Sequence, residues 1–226
     1  MKKTYWIFLF GLVLCANITG IQLQNEMIGY ISKPLLMIVL IAYFISQTRT
    51  IPSGLHPWVL AALFFSWVGD ILLMFQPKNE LFFILGLSAF LLAHIFYIIF
   101  FHKIRLQEGI RSNAWFLLIV VVYYAILISI LGPYLGKMKL PVRVYGIVIS
   151  FMFMLAMHML YVKNKKPGRW MMGGALLFVI SDSLLAINKF YQPVPFAGIS
   201  IILTYGLAQL FITEGAISYI QTGKSR

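Results

Sequence analysis

With 226 residues, a mean hydropathy of +0.90 and only 11% charged side chains, the chain departs from soluble domains, which keep roughly a quarter of their residues charged. Apolar residues make up 61% and come in long blocks, so residues 1–226 read as one integral membrane domain with no room for a separate soluble one. A net charge of +12 would suggest nucleic acid in a soluble protein; here the basic residues sit between apolar blocks, where they set topology and meet lipid head groups, so the expected partner is the bilayer.

The first block, 4–20, follows two lysines in "MKKTYWIFLFGLVLCANITG" and imitates a secretory signal. Leu14 precedes Cys15 where a lipoprotein signal needs a small residue, so the block reads as a retained span. Cys15 is the single cysteine, which excludes an intramolecular disulfide and a cysteine-based metal cluster. Seven more blocks follow, at about 30–47, 57–76, 81–101, 114–132, 142–162, 170–187 and 196–219. Each approaches the roughly 20 residues a helix needs to cross about 30 Å of hydrocarbon. The expected fold is all-α, a polytopic bundle of about eight transmembrane helices. Short connectors with breakers, such as Pro52-Ser53-Gly54, Gly132-Pro133, Pro167-Gly168 and Pro193-Val194-Pro195, separate the spans.

Placing the N-terminus in the cytoplasm puts twelve of the eighteen Lys and Arg residues inside, Lys224 and Arg226 among them. Six fall outside: Lys33, Lys78, Lys137, Lys139, Arg143 and Lys189. That imbalance predicts cytoplasmic N- and C-termini, in a bacterial inner membrane.

Two spans carry an acid. "SWVGDILLMF" holds Asp70 and "FVISDSLLAINKF" holds Asp182, in a chain with only six acidic residues. A carboxylate inside a span is rare and usually functional. The shared [Gly/Ser]-Asp-x-Leu-Leu pattern hints at a four-plus-four duplication, although the halves otherwise show little similarity. On the eight-span topology both aspartates lie at one level, roughly 8 Å below the outer boundary. Lys33, read as beginning span two from the outer side with Tyr30 and Ser32 before it, comes to the same level. Asn17 and Asn188 can rim the same hollow. A simpler alternative is a structural bridge between Lys33 and one aspartate, which desolvation would make a poor stabiliser. Scarce water and a like-charged neighbour favour the neutral form of a carboxyl, and a carboxylic acid beside a carboxylate makes an acid/base pair.

Other polar positions are less specific. His94 and Tyr97 lie one turn apart on span four. A packed, hydrogen-bonded His94 is preferred over a zinc ligand, because no His-x-x-x-His pair exists and His158 falls at the inner depth. Tyr205 and Gln209, four residues apart on span eight, either line the cavity or bond helix to helix. Glu214, near the inner boundary, is expected to reach water, and Gly173-Gly174-Ala175 reads as a close helix contact.

Five segments in order, "SKPLLM" (32–37), "GDILLM" (69–74), "AHIFY" (93–97), "GALLFVISDSLLA" (174–186) and "YGLAQLFI" (205–212), resemble the YhhN-like lysoplasmalogenase family of multi-span membrane proteins. The resemblance implies cleavage of the vinyl-ether bond of a lysoplasmalogen to a fatty aldehyde and a glycerophospho-head group. It implies Asp70 and Asp182 as the essential aspartates and Lys33 as the lysine of the first motif, with no metal or organic cofactor. Substrate contacts are expected from Lys33, Tyr30, Asn17, His94, Tyr97, Asn188, Tyr205 and Gln209. The competing reading is a proton- or cation-coupled transporter, since paired intramembrane carboxylates also relay protons.

Overall fold

The structure is a computed structural model and describes residues 2–223; Lys224 and Arg226, counted above toward the inner side, lie outside the described residues. Eight α-helices fill it: α1 Lys3–Gln22, α2 Glu26–Thr48, α3 His56–Met74, α4 Glu80–Gln107, α5 Ala114–Leu131, α6 Lys139–His158, α7 Lys165–Ala186 and α8 Ala197–Gly223. With the short helical turns that extend α5, α6 and α7, all eight are long and apolar enough to cross a membrane. The all-α expectation is borne out. In hydrocarbon a backbone must satisfy its own hydrogen bonds, and helices do so within one segment.

Asparagine starts half of these helices. Asn25, Asn79, Asn113 and Asn164 each accept a backbone N–H from the first turn of α2, α4, α5 and α7, which satisfies a donor the helix itself cannot. The Asn25 cap corrects the reading of span two. The helix begins at Glu26, not near residue 30, so Lys33 lies two turns inside it and Pro34 sits within the helix. Pro34 has no N–H, which leaves the Tyr30 carbonyl without its helical donor. Pro167 likewise does not break α7; it falls in the first turn, where the missing N–H costs nothing.

Small residues set the tightest packing. A Cβ at Gly174 would meet the Ala208 carbonyl and Ile212 at 2.7 Å, so the expected close contact of Gly173-Gly174-Ala175 is realised by Gly174, with α7 pressed on α8. On the other side of the bundle, a Cβ at Gly69 would meet the Phe90 ring at 2.6 Å, and one at Gly86 would meet Leu73 at 2.7 Å. These two glycines join α3 to α4. By contrast, α5 buries only Val120 and Leu131 and turns most of its surface outward, as a lipid-facing helix does.

The start of α1 and the later part of α8 lie at one end. Lys3 at the start of α1 bonds Glu214 late in α8, and Tyr43 late in α2 bonds the same carboxylate. Glu214 is therefore buried and paired, not hydrated as the sequence suggested. At the same end His158 donates from Nδ1 to the Met154 carbonyl (2.8 Å) and accepts at Nε2 the N–H of Asn113 (3.2 Å). It is a neutral imidazole tying α6 to the start of α5.

Candidate active site

Asp70 and Asp182 lie toward the opposite end, and both line one cavity of about 130 Å³. Asp70, on α3, is 1% exposed. It accepts the Tyr205 hydroxyl from α8 at 2.7 Å and faces the Lys33 ammonium from α2 at 3.6 Å. Asp182, on α7, accepts the Tyr145 hydroxyl from α6 on Oδ2, with His94 Nε2 of α4 at 3.3 Å from the same oxygen. Four helices thus bring one side chain each to the two carboxyls, which stand on two more.

Apart from Gln76 and Ser181, the remaining walls are apolar or aromatic. Leu73, Leu87, Phe90, Leu185 and Phe190 are among them, and Phe90, Phe178 and Tyr205 pack edge to face with centroids 5.5–6.4 Å apart. Phe90 and Tyr205 present ring carbon to the cavity, with Phe178 packed behind them, while the Tyr205 hydroxyl stays on Asp70. The cavity suits an alkyl or alkenyl chain with a polar group held at the carboxyls.

A wider vestibule of about 420 Å³ shares Lys33, Gln76, Leu185, Ile201 and Ile202 with the inner cavity. Asn17, Glu26, Tyr30 and Asn188 line it. Asn17 donates to Ser32 Oγ at 2.8 Å, Tyr30 stacks on Phe75, and Asn188 Oδ1 accepts the Val194 N–H in the π-helical turn Ile187–Tyr191 that ends α7. Lys33 stands at the junction, within reach of both an anion in the vestibule and the chemistry inside.

Of the residues expected from sequence, Asp70, Asp182, Lys33 and Tyr205 line the inner cavity, and Asn17, Tyr30 and Asn188 line the vestibule. His94 is fully buried behind Asp182. Tyr97 and Gln209 do not reach the cavity: Tyr97 donates to Gln209 Oε1 and Gln209 donates to Ser66 Oγ. That layer joins α4, α8 and α3 beneath the carboxyls, so of the Tyr205/Gln209 pair one residue lines the site and the other bonds helix to helix. Sequence reasoning missed Tyr145, which lay among twelve tyrosines with nothing local to mark it. It also missed Ser181, which lines the cavity and donates to the Ile201 carbonyl. Among the described residues no group of three or more His, Cys, Asp or Glu is placed to hold a metal ion.

Comparison with known proteins finds relatives across most of the chain. Lysoplasmalogenase TMEM86B of Rattus norvegicus is 33% identical over 186 residues, which is 82% of this chain and 70% of that protein. Its Homo sapiens counterpart is 36% identical over 170 residues, 74% of this chain and 66% of that protein. A lysoplasmalogenase of Mycobacterium tuberculosis is 32% identical over 161 residues, 70% of this chain and 59% of that protein. No solved structure matches. The YhhN family model matches residues 28–216, a range that holds all five segments on which the sequence resemblance rested. The resemblance is borne out: the chain belongs to the YhhN family.

Proposed function

We propose that the protein is a membrane hydrolase that cleaves the vinyl-ether bond of lysoplasmalogens by acid/base chemistry at Asp70 and Asp182. One observation carries the reading: two carboxyls from separate helices share an apolar cavity that opens past a lysine. Relatives named lysoplasmalogenase, at 32–36% identity, support the same substrate class.

An enol ether is opened by protonation of its β-carbon, not by a strong nucleophile. A carboxylic acid of the pair gives its proton to that carbon and becomes a carboxylate. The resulting oxocarbenium ion takes water, whose proton passes to the second carboxylate. The hemiacetal then collapses: its hydroxyl proton returns to the first carboxylate, and the second carboxyl protonates the departing glycerol oxygen. One water is consumed, an aldehyde and an alcohol are formed, and both carboxyls recover their starting state. Nearby carboxylates also steady the cationic intermediate in a site with little water to compete. The apolar walls take the alkenyl chain, and Lys33 meets the phosphate as it leaves the vestibule. We place both termini on the cytoplasmic side, from the charge imbalance of the connecting segments; a reporter fused at the C-terminus should then read cytoplasmic, and an external signal reverses the topology.

Product analysis with alkenyl, alkyl and acyl lysolipids side by side tests the function. Aldehyde release from the alkenyl substrate alone is expected. Fatty-acid release from acyl lysolipid, with the alkenyl lipid untouched, makes the protein an ordinary lysophospholipase and ends this reading.

A further inference from the structure

The surroundings of the two aspartates are related by a fixed step in sequence. Tyr97 and Gln209, which bond to each other, are 112 residues apart. The same step separates Asp70 from Asp182, Lys33 from Tyr145, Trp58 from Trp170 and Gly86 from Gly198. It carries α2 onto α6, α3 onto α7 and α4 onto α8. Contacts follow it as well: Asp70 is met from α2 and α8, and Asp182 from α6 and α4. His94 and Tyr205, the α4 and α8 partners, are one residue off the register. Trp58 packs on Phe96 of α4 while Trp170 packs on Phe211 of α8. A pair of equivalent residues that bond to each other, as Tyr97 and Gln209 do, is what a twofold axis between two halves produces. Because each half has four helices, α3 and α7 run the same way and the axis lies along the membrane normal.

Such a pair of halves would hold its two carboxyls alike if the partners were alike. They are not. Where Asp70 has the ammonium of Lys33, Asp182 has the hydroxyl of Tyr145. Both oxygens of Asp70 are engaged, Oδ1 by Lys33 and Oδ2 by Tyr205. At Asp182 both neighbours address Oδ2, and the cavity is what remains for Oδ1. His94 supplies no charge: its Nδ1 is buried without a hydrogen-bond partner, so an imidazolium would strand an N–H there. The network therefore puts the imidazole proton on Nε2, which donates to the Tyr145 oxygen at 2.9 Å, while Tyr145 donates to Asp182. Oδ2 then accepts one neutral donor, the Tyr145 hydroxyl, and among the described residues no lysine or arginine stands beside Asp182 as Lys33 stands beside Asp70. That pattern suits a carboxylic acid with Oδ2 as its carbonyl oxygen and Oδ1 as its hydroxyl.

We propose that this exchange of lysine for tyrosine divides the work: Asp182 is the acid that protonates the alkenyl β-carbon, Asp70 is the ion-paired carboxylate that takes the proton of water, and Tyr145, backed by His94, is the positioning residue that turns the acidic O–H into the cavity. The assignment rests on the vinyl-ether reading for its chemistry, yet its test needs no substrate. A chain with six acidic side chains allows the infrared carbonyl stretch of a protonated carboxylic acid to be assigned by substitution, in the purified protein in lipid nanodiscs at neutral pH. The wild type should show such a band, Asp182→Asn should remove it, and Asp70→Asn and Glu214→Gln should each retain it. Tyr145→Phe, nearly the same shape, should keep the band but move it to higher frequency, and should lower kcat for lysoplasmalogen about tenfold or more with KM unchanged. A band that survives Asp182→Asn and vanishes in Asp70→Asn overturns the assignment, as does its absence from the wild type. An unmoved band in Tyr145→Phe removes the positioning role. Failure to cleave lysoplasmalogen would count against the substrate reading and leave the spectrum, and the proton assignment, to stand separately.

Discussion

Asp70 and Glu214 are held by nearly the same chemistry. Each is a buried carboxylate with one lysine and one tyrosine hydroxyl, Lys33 and Tyr205 for the first, Lys3 and Tyr43 for the second. They differ in their surroundings. Glu214 fastens the start of α1 and the later parts of α2 and α8, and it lines neither the inner cavity nor the vestibule. Asp70 faces open volume, shares it with a second carboxyl, and is reached through a vestibule. A buried ion pair alone is poor evidence of function; space beside it, and a second titratable group across that space, are what separate a reactive site from a fastening.

If that contrast is right, it should break in a definite order. The largest effect belongs to Asp70→Asn and Asp182→Asn, each lowering aldehyde release about 10²–10⁴-fold per folded molecule, the usual range for a lost acid or base, a loss far beyond the ~1–3 kcal/mol of stability that Asp70→Asn costs by leaving Lys33 unpaired. Tyr205→Phe should follow: it removes a hydrogen bond to a charged group, worth about 1.5–3 kcal/mol, and should slow turnover about tenfold to a hundredfold. Gly174→Val acts indirectly, by forcing α7 from α8 where a Cβ would lie 2.7 Å from the Ala208 carbonyl; overpacking of about 1–3 kcal/mol should lower the melting temperature and cost part of the activity as Asp182 shifts from Tyr145 and His94. Glu214→Gln should show the reverse pattern, losing about 1–3 kcal/mol of stability with turnover per folded molecule unchanged. An equal loss of turnover from Glu214→Gln would erase the distinction between the two ends. The smallest expected effect is none: exhaustive chelation should leave the rate as it was, and restoration of a lost rate by zinc would revive a metal site.

Much of this was legible in the sequence because hydrocarbon is an unforgiving solvent. Charges inside spans are costly enough to stand out one by one, so Asp70, Asp182 and Lys33 could be picked out and brought to one depth by counting residues. Side-chain direction could not be counted in that way. His94 and Tyr97 are three residues apart on α4, yet one meets Asp182 and the other Gln209. Tyr145 carried no local mark, since tyrosine is ordinary at membrane boundaries; only its distance from Lys33, matching that between the aspartates, could have exposed it. The start of α2 was misread for a related reason. The polar run Gln22–Glu26 looks like connector, but Asn25 is a cap and Glu26 already helix, which sinks Lys33 two turns into the bundle. Glu214 misled because a carboxylate near a boundary ordinarily reaches water, and its partners come from α1 and α2, far away in sequence.

The central claim is that the two carboxyls act as one unit on one bond. A double-mutant cycle on aldehyde release by Asp70→Asn, Asp182→Asn and the double variant addresses it directly. Groups that serve the same transition state are strongly non-additive, so the double variant should be no slower than the worse single variant. Losses that multiply would mean that the two aspartates contribute independently, and would contradict the account.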